Sequence, residues 1–488
     1  MPEPTSDGDA TASNDALDDN LDAAELDDRE VDASDVSEPP TPNDSNGAHA
    51  VEDEVEAGDH ALSDDSAWDD EGVVAADNPN DQLPTWPLRN LSRLSQGELF
   101  TRIANFVVVA GAAIFIFAML HPELMLRNTT ATGGDMGAHV WQPQYIRDHA
   151  LEHFRLSWWT PDYYAGMPAG QYYFPVPTMF QLFLDIFLPY NIAFKIGTVT
   201  GIALLPISAY VLGRGLGARR PVPAAMAVAT LPFLFDRGWT IYGSNIYSAM
   251  AGMYSNAWSL AFALFFLGAY AAALRTGKHI VMCGVLFALA VMSHVMPTYV
   301  VLVPGAVVIT LAHVLRRRRE ADRPSTHRWT RTVVIARERW RVVSVVAVLG
   351  AALCALWVVP FITTKQWLTD MGWESLPEGT RSVWSYLLPA NNPGASSYAE
   401  TWMLFLASLG ALVGIALGRR AALVATVMWI FTGAAFAIAT DFRIWNARIL
   451  PFWFLWGYLL AAMFIGELAR SLPHAYNWMK RAATWTRS

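Results

Sequence analysis

Apolar runs close to the length of a membrane-crossing helix recur ten times between residues 103 and 468, and they leave the chain few ways to fold. A bilayer core about 30 Å thick takes roughly 20 apolar helical residues to cross. Backbone polar groups in hydrocarbon are satisfied only in helices or closed barrels, and continuous apolar runs of this length read as helices. The runs are 103–120, 193–213, 221–236, 257–274, 279–296, 298–315, 342–362, 402–417, 421–440 and 449–468, of which 221–236 and 402–417 are short. The expected fold class is an all-α polytopic membrane protein with about ten transmembrane helices.

Charge divides the chain before any motif does. Residues 1–86 hold 27 of the 44 acidic side chains and one basic residue, Arg29. With Trp68 and Trp86 as its only aromatics, this stretch buries too little apolar surface to offset the entropy of ordering. It is expected to be a disordered acidic tail, followed by a transmembrane domain over 87–470 and a basic C-terminal tail over 471–488. Its charge repels nucleic acid and anionic membrane surfaces, leaving a spacer role or a basic cytoplasmic partner. No apolar run precedes residue 103, so the first span is expected to act as an uncleaved anchor. Cys283 and Cys354 both lie inside apolar runs and read as small core residues.

Orientation follows from the basic loops. Arg214, Arg219 and Arg220; Arg275 and Lys278; Arg316 to Arg319 through Arg341; Arg419 and Arg420; and Arg470, Lys480, Arg481 and Arg487 form five clusters. With the N-terminus inside, all five fall on the cytoplasmic face of the plasma membrane, and so does the C-terminus. The alternation requires that residues 174–190, apolar but short and carrying Asp185, lie in or dip into the outer interface as a helix. The first outer loop then spans 121–192 and is the longest. Others cover about 237–256, 363–401 and 441–448.

Polar and aromatic variety concentrates in these outer loops. Gly133-Gly134-Asp135-Met136-Gly137-Ala138-His139 puts Asp135 and His139 four residues apart, on one face of a helix. A carboxylate beside an imidazole can serve as a base, bind a metal or form a plain polar pair. Asp135 after two glycines is equally a helix N-cap. Trp158, Trp159, Tyr172 and Tyr173 suit sugar rings or lipid headgroups, and suit an ordinary interfacial aromatic belt as well. Asp236 faces outward as a second acid or pairs with Arg237. Arg443 and Arg448 run against the positive-inside trend, and their planar forks match a phosphate, as Lys365 does less well, or pair with Asp441. His294, near a Pro-marked helix end, reads as interfacial or functional.

This layout resembles the GT-C superfamily of membrane glycosyltransferases, with a long first outer loop, an acidic residue soon after the first span, an interfacial helix and a second outer acid. More narrowly, Gly134-Asp135-Met136-Gly137-Ala138-His139, Gly166-Met167-Pro168 and Tyr173-Phe174-Pro175 are similar to bacterial membrane proteins labelled 6-pyruvoyl-tetrahydropterin synthase-related. Nothing here resembles the zinc site of a soluble pterin enzyme.

The superfamily resemblance implies Asp135 as catalytic base or metal ligand, with His139 beside it, Asp236 as the second acid, and Arg448 or Arg443 as phosphate binder. It implies a polyprenyl-phosphate-linked sugar as donor, used at the outer face in cell-envelope glycan or glycolipid assembly, with membrane lipids as partners. A divalent cation, Mg2+ or Mn2+, would be the cofactor. The sequence departs from the pattern in that no second carboxylate adjoins Asp135 and no large soluble domain follows the last span. A transporter or flippase and an envelope scaffold remain as non-enzymatic alternatives. The charge-poor span interiors count against ion-coupled transport.

As a passive spacer, the acidic tail is dispensable. Deleting residues 1–86 is expected to leave membrane protein level and envelope composition unchanged, measured by immunoblot and glycolipid profiling. Loss of a co-purifying cytoplasmic partner on deletion would instead make the tail a docking segment.

Overall fold

The computed structural model describes residues 96–237, 241–321, 328–368, 376, 382–388, 397–439 and 444–485. The acidic stretch 1–86 lies outside the described residues, as do Asp441 and Arg443.

The fold is helical, as the apolar runs require. Among the described residues, seven helical stretches are long and apolar enough to cross a membrane: Gly97–Met119, Tyr190–Gly215, Ile246–Thr276, Val295–Leu315, Arg339–Thr363, Arg420–Ile438 and Asn446–Leu472. The remaining three expected spans are helices too, but shorter ones, Val222–Phe235, Ile280–Val291 and Thr401–Ala416. The expectation of ten full spans therefore reduces to seven of spanning length plus three short apolar helices. At 1.5 Å per residue, the 14-residue and 12-residue members reach only about 21 and 18 Å.

In chain order the helices are α1 Gln96–Met119, α2 Met136–Tyr145, α3 Pro175–Asp185, α4 Tyr190–Gly215, α5 Val222–Phe235 and α6 Tyr254–Thr276. They continue as α7 Ile280–Val291, α8 Val303–Ala321, α9 Arg328–Thr363, α10 Ser397–Ala416, α11 Arg420–Ile438 and α12 Leu450–Trp485. Two short strands, β1 Trp158–Thr160 and β2 Met167–Ala169, pair antiparallel in the first outer loop. Helix α3 has 11 residues, about 16 Å, too short to cross a bilayer. It packs Thr178, Gln181 and Leu182 inward and leaves Phe183, Ile186 and Phe187 exposed at its end, the layout of a helix lying along the interface.

The core lies between α4 and α6, with α5 and α12 joining that pair to α10 and α11. Lipid is as apolar as leucine, so membrane helices associate through close packing of small residues. A side chain at Gly215 would collide with the backbone of Gly268, and one at Gly268 would stand 2.6 Å from the carbonyl oxygen of Val211. α6 is nearly enclosed, whereas α1 turns Phe106, Val107 and Ile114 outward. Cys283 and Cys354 are both free and buried.

The helix ends sort by chemistry. Arg275 donates to the Gly215 carbonyl, Arg339 Nη2 donates to the Arg275 carbonyl at 3.3 Å, and Glu467 pairs with Arg419 and Arg470. These contacts gather the basic ends of α4, α6, α9, α11 and α12. The opposite ends of α4, α6 and α12 carry Tyr190, Tyr254 and Arg448, and there the first outer loop sits.

Because α4 and α6 touch through their backbones, Gly268→Val is expected to lower the thermal midpoint of the purified protein by about 5 °C or more. Gly111→Val, at a position where a side chain meets nothing within 4 Å, serves as the control and should leave the midpoint unchanged.

Candidate functional site

The candidate site forms where the first outer loop meets the chain leading into α6. Helix α2 begins at Met136, directly after Asp135, whose φ of −82° and ψ of 5° make it the boundary residue. Its carboxylate makes no capping hydrogen bond, and the side chain stays exposed. The helix-cap role is therefore not the one this carboxylate plays. The Asp135 N–H instead donates to the Ala251 carbonyl at 2.9 Å, and a side chain on Gly134 would strike that same carbonyl.

Gly252 completes the contact. It adopts φ 114°, a conformation L side chains rarely take, inside a π-helical turn over Ala249–Met253. A Cβ there would lie 2.8 Å from Asp135 Cβ and 3.0 Å from His139 Cδ2. Asp135 and His139 thus share one face of α2, as their spacing implied, and both press against a bare backbone.

His139 is mostly enclosed. Its Nε2 meets Tyr173 Oη at 3.3 Å, its ring centroid lies 4.7 Å from that of Tyr173, and Tyr254 stands edge-on at 5.6 Å. Tyr173 Oη also accepts a hydrogen bond from Ser255 Oγ at 3.3 Å. Its own proton is then available to Nε2 of a neutral imidazole, which leaves the ring proton on Nδ1. Burial pushes the His139 imidazole down to about 4, partly opposed by the charge of Asp135. Burial likewise holds the Tyr173 phenol well above its ordinary range. Both are neutral near pH 7.

Asp135 and Arg448, 313 positions apart in sequence, come against adjacent residues of one turn, Asp135 against Gly252 and Arg448 against Met253. Arg448 lies over the Trp445 ring at 5.5 Å, and its Nη1 approaches Met253 Sδ at 3.5 Å. The last outer loop is held by Asn446, which is fully buried, accepts from the Leu376 N–H at 2.8 Å and donates to the Leu376 carbonyl at 2.7 Å. His294 adds a further edge. Phe174 packs on its ring at 4.4 Å, its Nδ1 accepts the Met296 N–H at 3.1 Å, and burial followed by the charge of Arg448 pushes it down to about 3.

The other sequence candidates are placed differently. Asp236 is 7% exposed, at the end of α5, and accepts a hydrogen bond from Tyr458 Oη at 2.9 Å. Arg237 turns to Tyr247, donating from Nε to its hydroxyl at 3.1 Å. Trp158 and Trp159 form β1, where Trp158 stacks on His153 at 4.5 Å and Tyr145 Oη donates to the Trp159 carbonyl at 2.6 Å. Tyr172 Oη donates to the Thr364 carbonyl at 3.2 Å, one residue before the exposed Lys365. Arg443 lies outside the described residues. Gly252, Tyr254 and Ser255 are the site residues that sequence reasoning missed. The available signal was a glycine between Ala251 and Met253 just ahead of a long apolar run.

Among the described residues, no group of three or more His, Cys, Asp or Glu side chains could hold a metal ion. Asp135 and His139 alone do not make a divalent-cation site, and His139 already faces Tyr173 through Nε2. The described residues do not fit the cation implied by resemblance, and no step below runs through one.

Apolar helices of spanning length around a polar cluster at one end define a polytopic integral membrane protein. The chain belongs to the 6-pyruvoyl-tetrahydropterin synthase related family of membrane proteins, whose profile matches residues 170–479. Solved structures similar to it include the Archaeoglobus fulgidus oligosaccharyltransferase in its apo form, at 13% identity and a TM-score of 0.45, covering 79% of this chain and 52% of that one. The same protein complexed with zinc and sulfate matches at 13% identity and a TM-score of 0.42, covering 77% and 51%. The chain thus spans about half the length of these structures. It matches no curated protein sequence.

Two buried neutral histidines give the stability a pH signature. A histidine whose folded pKa is depressed contributes stability that is present above its unfolded value and lost as pH falls through the folded one. Thermal stability is expected to decline as pH drops from about 6.5 toward 4, the window of His139. His139→Gln should remove one proton from that dependence, about 1.4 kcal/mol per pH unit, with His294 supplying the remainder. Identical pH profiles for wild type and variant would show that folding leaves the His139 pKa unshifted.

Proposed function

We propose that this membrane protein is a glycosyltransferase-like enzyme that takes sugar from a polyprenyl-phosphate donor at the outer face of the plasma membrane. Its product is a cell-envelope glycan or glycolipid. The reading rests chiefly on one observation: the exposed, uncapped carboxylate Asp135 packs against Gly252, and a cation distant in sequence, Arg448, meets the next residue, Met253, at 3.5 Å. Transfer of a sugar from a lipid phosphate uses a base for the acceptor and a fixed positive charge for the leaving phosphate.

In this scheme the acceptor hydroxyl loses its proton to the Asp135 carboxylate as its oxygen bonds to the sugar C1. The bond from C1 to the phosphate oxygen breaks, and polyprenyl phosphate departs with that electron pair, its charge facing Arg448. His139, neutral and held by Tyr173, keeps α2 pressed on Gly252 and so fixes where Asp135 points. Exposed Trp159 and exposed Lys365, whose neighbour Thr364 is bonded to Tyr172, are assigned to substrate contact together with Trp158, Tyr172 and Tyr173. The positive-inside rule supports a cytoplasmic placement of the end that carries Arg214, Arg275, Arg339, Arg419 and Arg470, and so an outer placement of the Asp135 end. Asp236 is retained as a supporting acid through Tyr458, and Arg443 as a second candidate for the donor phosphate.

Asp135→Asn is expected to reduce sugar transfer from a labelled polyprenyl-phosphate hexose to membrane acceptors by about 10²-fold or more. Arg448→Gln should cost about 10²-fold through the phosphate. In the native host, the Asp135→Asn strain should reproduce the envelope glycolipid and glycan profile of a deletion strain. A wild-type profile in that strain, alongside a changed one in the deletion strain, would sink the catalytic assignment.

A further inference from the structure

The chain between the end of α1 and Asp135 has little apolar packing of its own. From His121 to Thr130 only Met125 is buried, and the short helical turn Pro122–Met125 has no capping side chain at its start. A segment with so few buried apolar contacts opens readily unless polar contacts hold it. Those contacts come from the first two turns of α4. Lys195 Nζ donates to the Leu124 carbonyl at 2.9 Å, to the Arg127 carbonyl at 2.6 Å and to Thr129 Oγ1 at 3.4 Å. One turn earlier, Asn191 Nδ2 donates to Asn128 Oδ1 at 3.0 Å. Residues four apart share a helix face, so the two side chains hold the segment together.

The same end of α4 holds the chain beyond Asp135. Tyr190 Oη donates to the carbonyl of Val140, inside α2. Asp135 therefore lies between two stretches tied to one helix, residues 124–129 before it and Val140 after it. Only residues 130–134 separate the first of these from Asp135. The chemistry of Lys195 says what it is for. An ammonium has three N–H donors and no acceptor. Three oxygens of the segment take all three donors, so this cation is committed to the chain and is not offered to a substrate phosphate. Two of those oxygens are carbonyls at and just past the end of a helical turn, where a lysine is a favourable partner.

We propose that Lys195 is a positioning residue for Asp135. With Asn191 and Tyr190 it keeps the loop leading from α1 closed, and so keeps the carboxylate seated against Gly252. The proposal rests on the reading of Asp135 as the base in sugar transfer, and its test separates the two.

Full-length wild type and Lys195→Met, purified in detergent, are compared by amide hydrogen exchange and by sugar transfer from a labelled polyprenyl-phosphate hexose. The Asp135 N–H, bonded to the Ala251 carbonyl, reports the seating directly. In Lys195→Met it is expected to exchange about tenfold faster, while the amides of α6 keep their wild-type rates. Transfer should lose about tenfold in kcat, with KM for the donor unchanged. Unchanged exchange at Asp135 overturns the positioning role and leaves the base reading as it was. Faster exchange at Asp135 with full transfer activity overturns the base reading, and the positioning role with it. A raised KM with kcat unchanged would make Lys195 a contact of the donor phosphate and overturn the proposal. So would faster exchange throughout α6, the mark of general loosening. Should Lys195→Met fail to fold, Asn191→Ala removes the neighbouring bond on the same face and is measured in the same way. Faster exchange confined to the loop and Asp135 then supports the proposal, and unchanged exchange refutes it.

Discussion

Two stretches of backbone that meet without a side chain between them hold the candidate site in place. The Asp135 N–H reaches the Ala251 carbonyl, while Gly252 lies flat against Asp135 and His139. The approach is possible because Gly252 tolerates φ 114° and occupies no space beyond its Cα. Everything else in the site is arranged around that contact. The α2 helix starts from it, Tyr173 and Ser255 close over His139, and the π-helical turn that carries Gly252 runs straight into the most enclosed helix of the bundle, α6. Side chains aligned this way are set by rigid elements rather than by a free loop, which is what precise placement of a reacting group requires.

The second outer segment achieves this without regular structure over much of its length. Between α5 and α6, backbone that is not helical lies buried, and buried backbone groups must find partners. The local side chains provide them. Ser248 Oγ accepts the Gly243 N–H at 3.0 Å, Asn245 Oδ1 accepts the Ser248 N–H at 2.8 Å, and Asn245 Nδ2 donates to the Asp236 carbonyl at 2.9 Å. Ser244, Asn245, Ser248 and Asn256 are all fully buried. A stretch that reads in sequence as a polar surface loop is in fact an internal plug. Its serines and asparagines do the work that water does for an exposed loop.

The molecule also keeps its two charged ends apart. Arginines gather at one end of the helices, where they close carbonyls at helix C-termini and crowd into a cationic region. The other end carries neutral histidines, phenols, several exposed carboxylates including Asp135, and cations including Arg448. Helices of spanning length separate the two sets, and distance limits their interaction.

Much of this was legible from the chain alone. Long apolar runs made membrane helices unavoidable, because hydrocarbon offers backbone groups no other partner. The run over 174–190 was readable as too short to span, and it forms an 11-residue helix; Asp135 and His139 were readable as sharing a face from their spacing of four. Sequence could not decide which outer residues meet. Asp236 read as a second acid or a partner of Arg237, and it is buried against Tyr458, while Ser255 carried no local mark of its importance and Gly252 only that of a glycine ahead of an apolar run. Helix lengths were likewise left open by the sequence: α5 ends at Phe235 and α7 at Val291, each short of a full crossing. Local pattern fixes how a segment is solvated and which period it adopts. Only the three-dimensional packing of distant helices brings residues 135, 173, 252 and 448 together, because those contacts depend on how closely backbones approach and not on any feature within one segment.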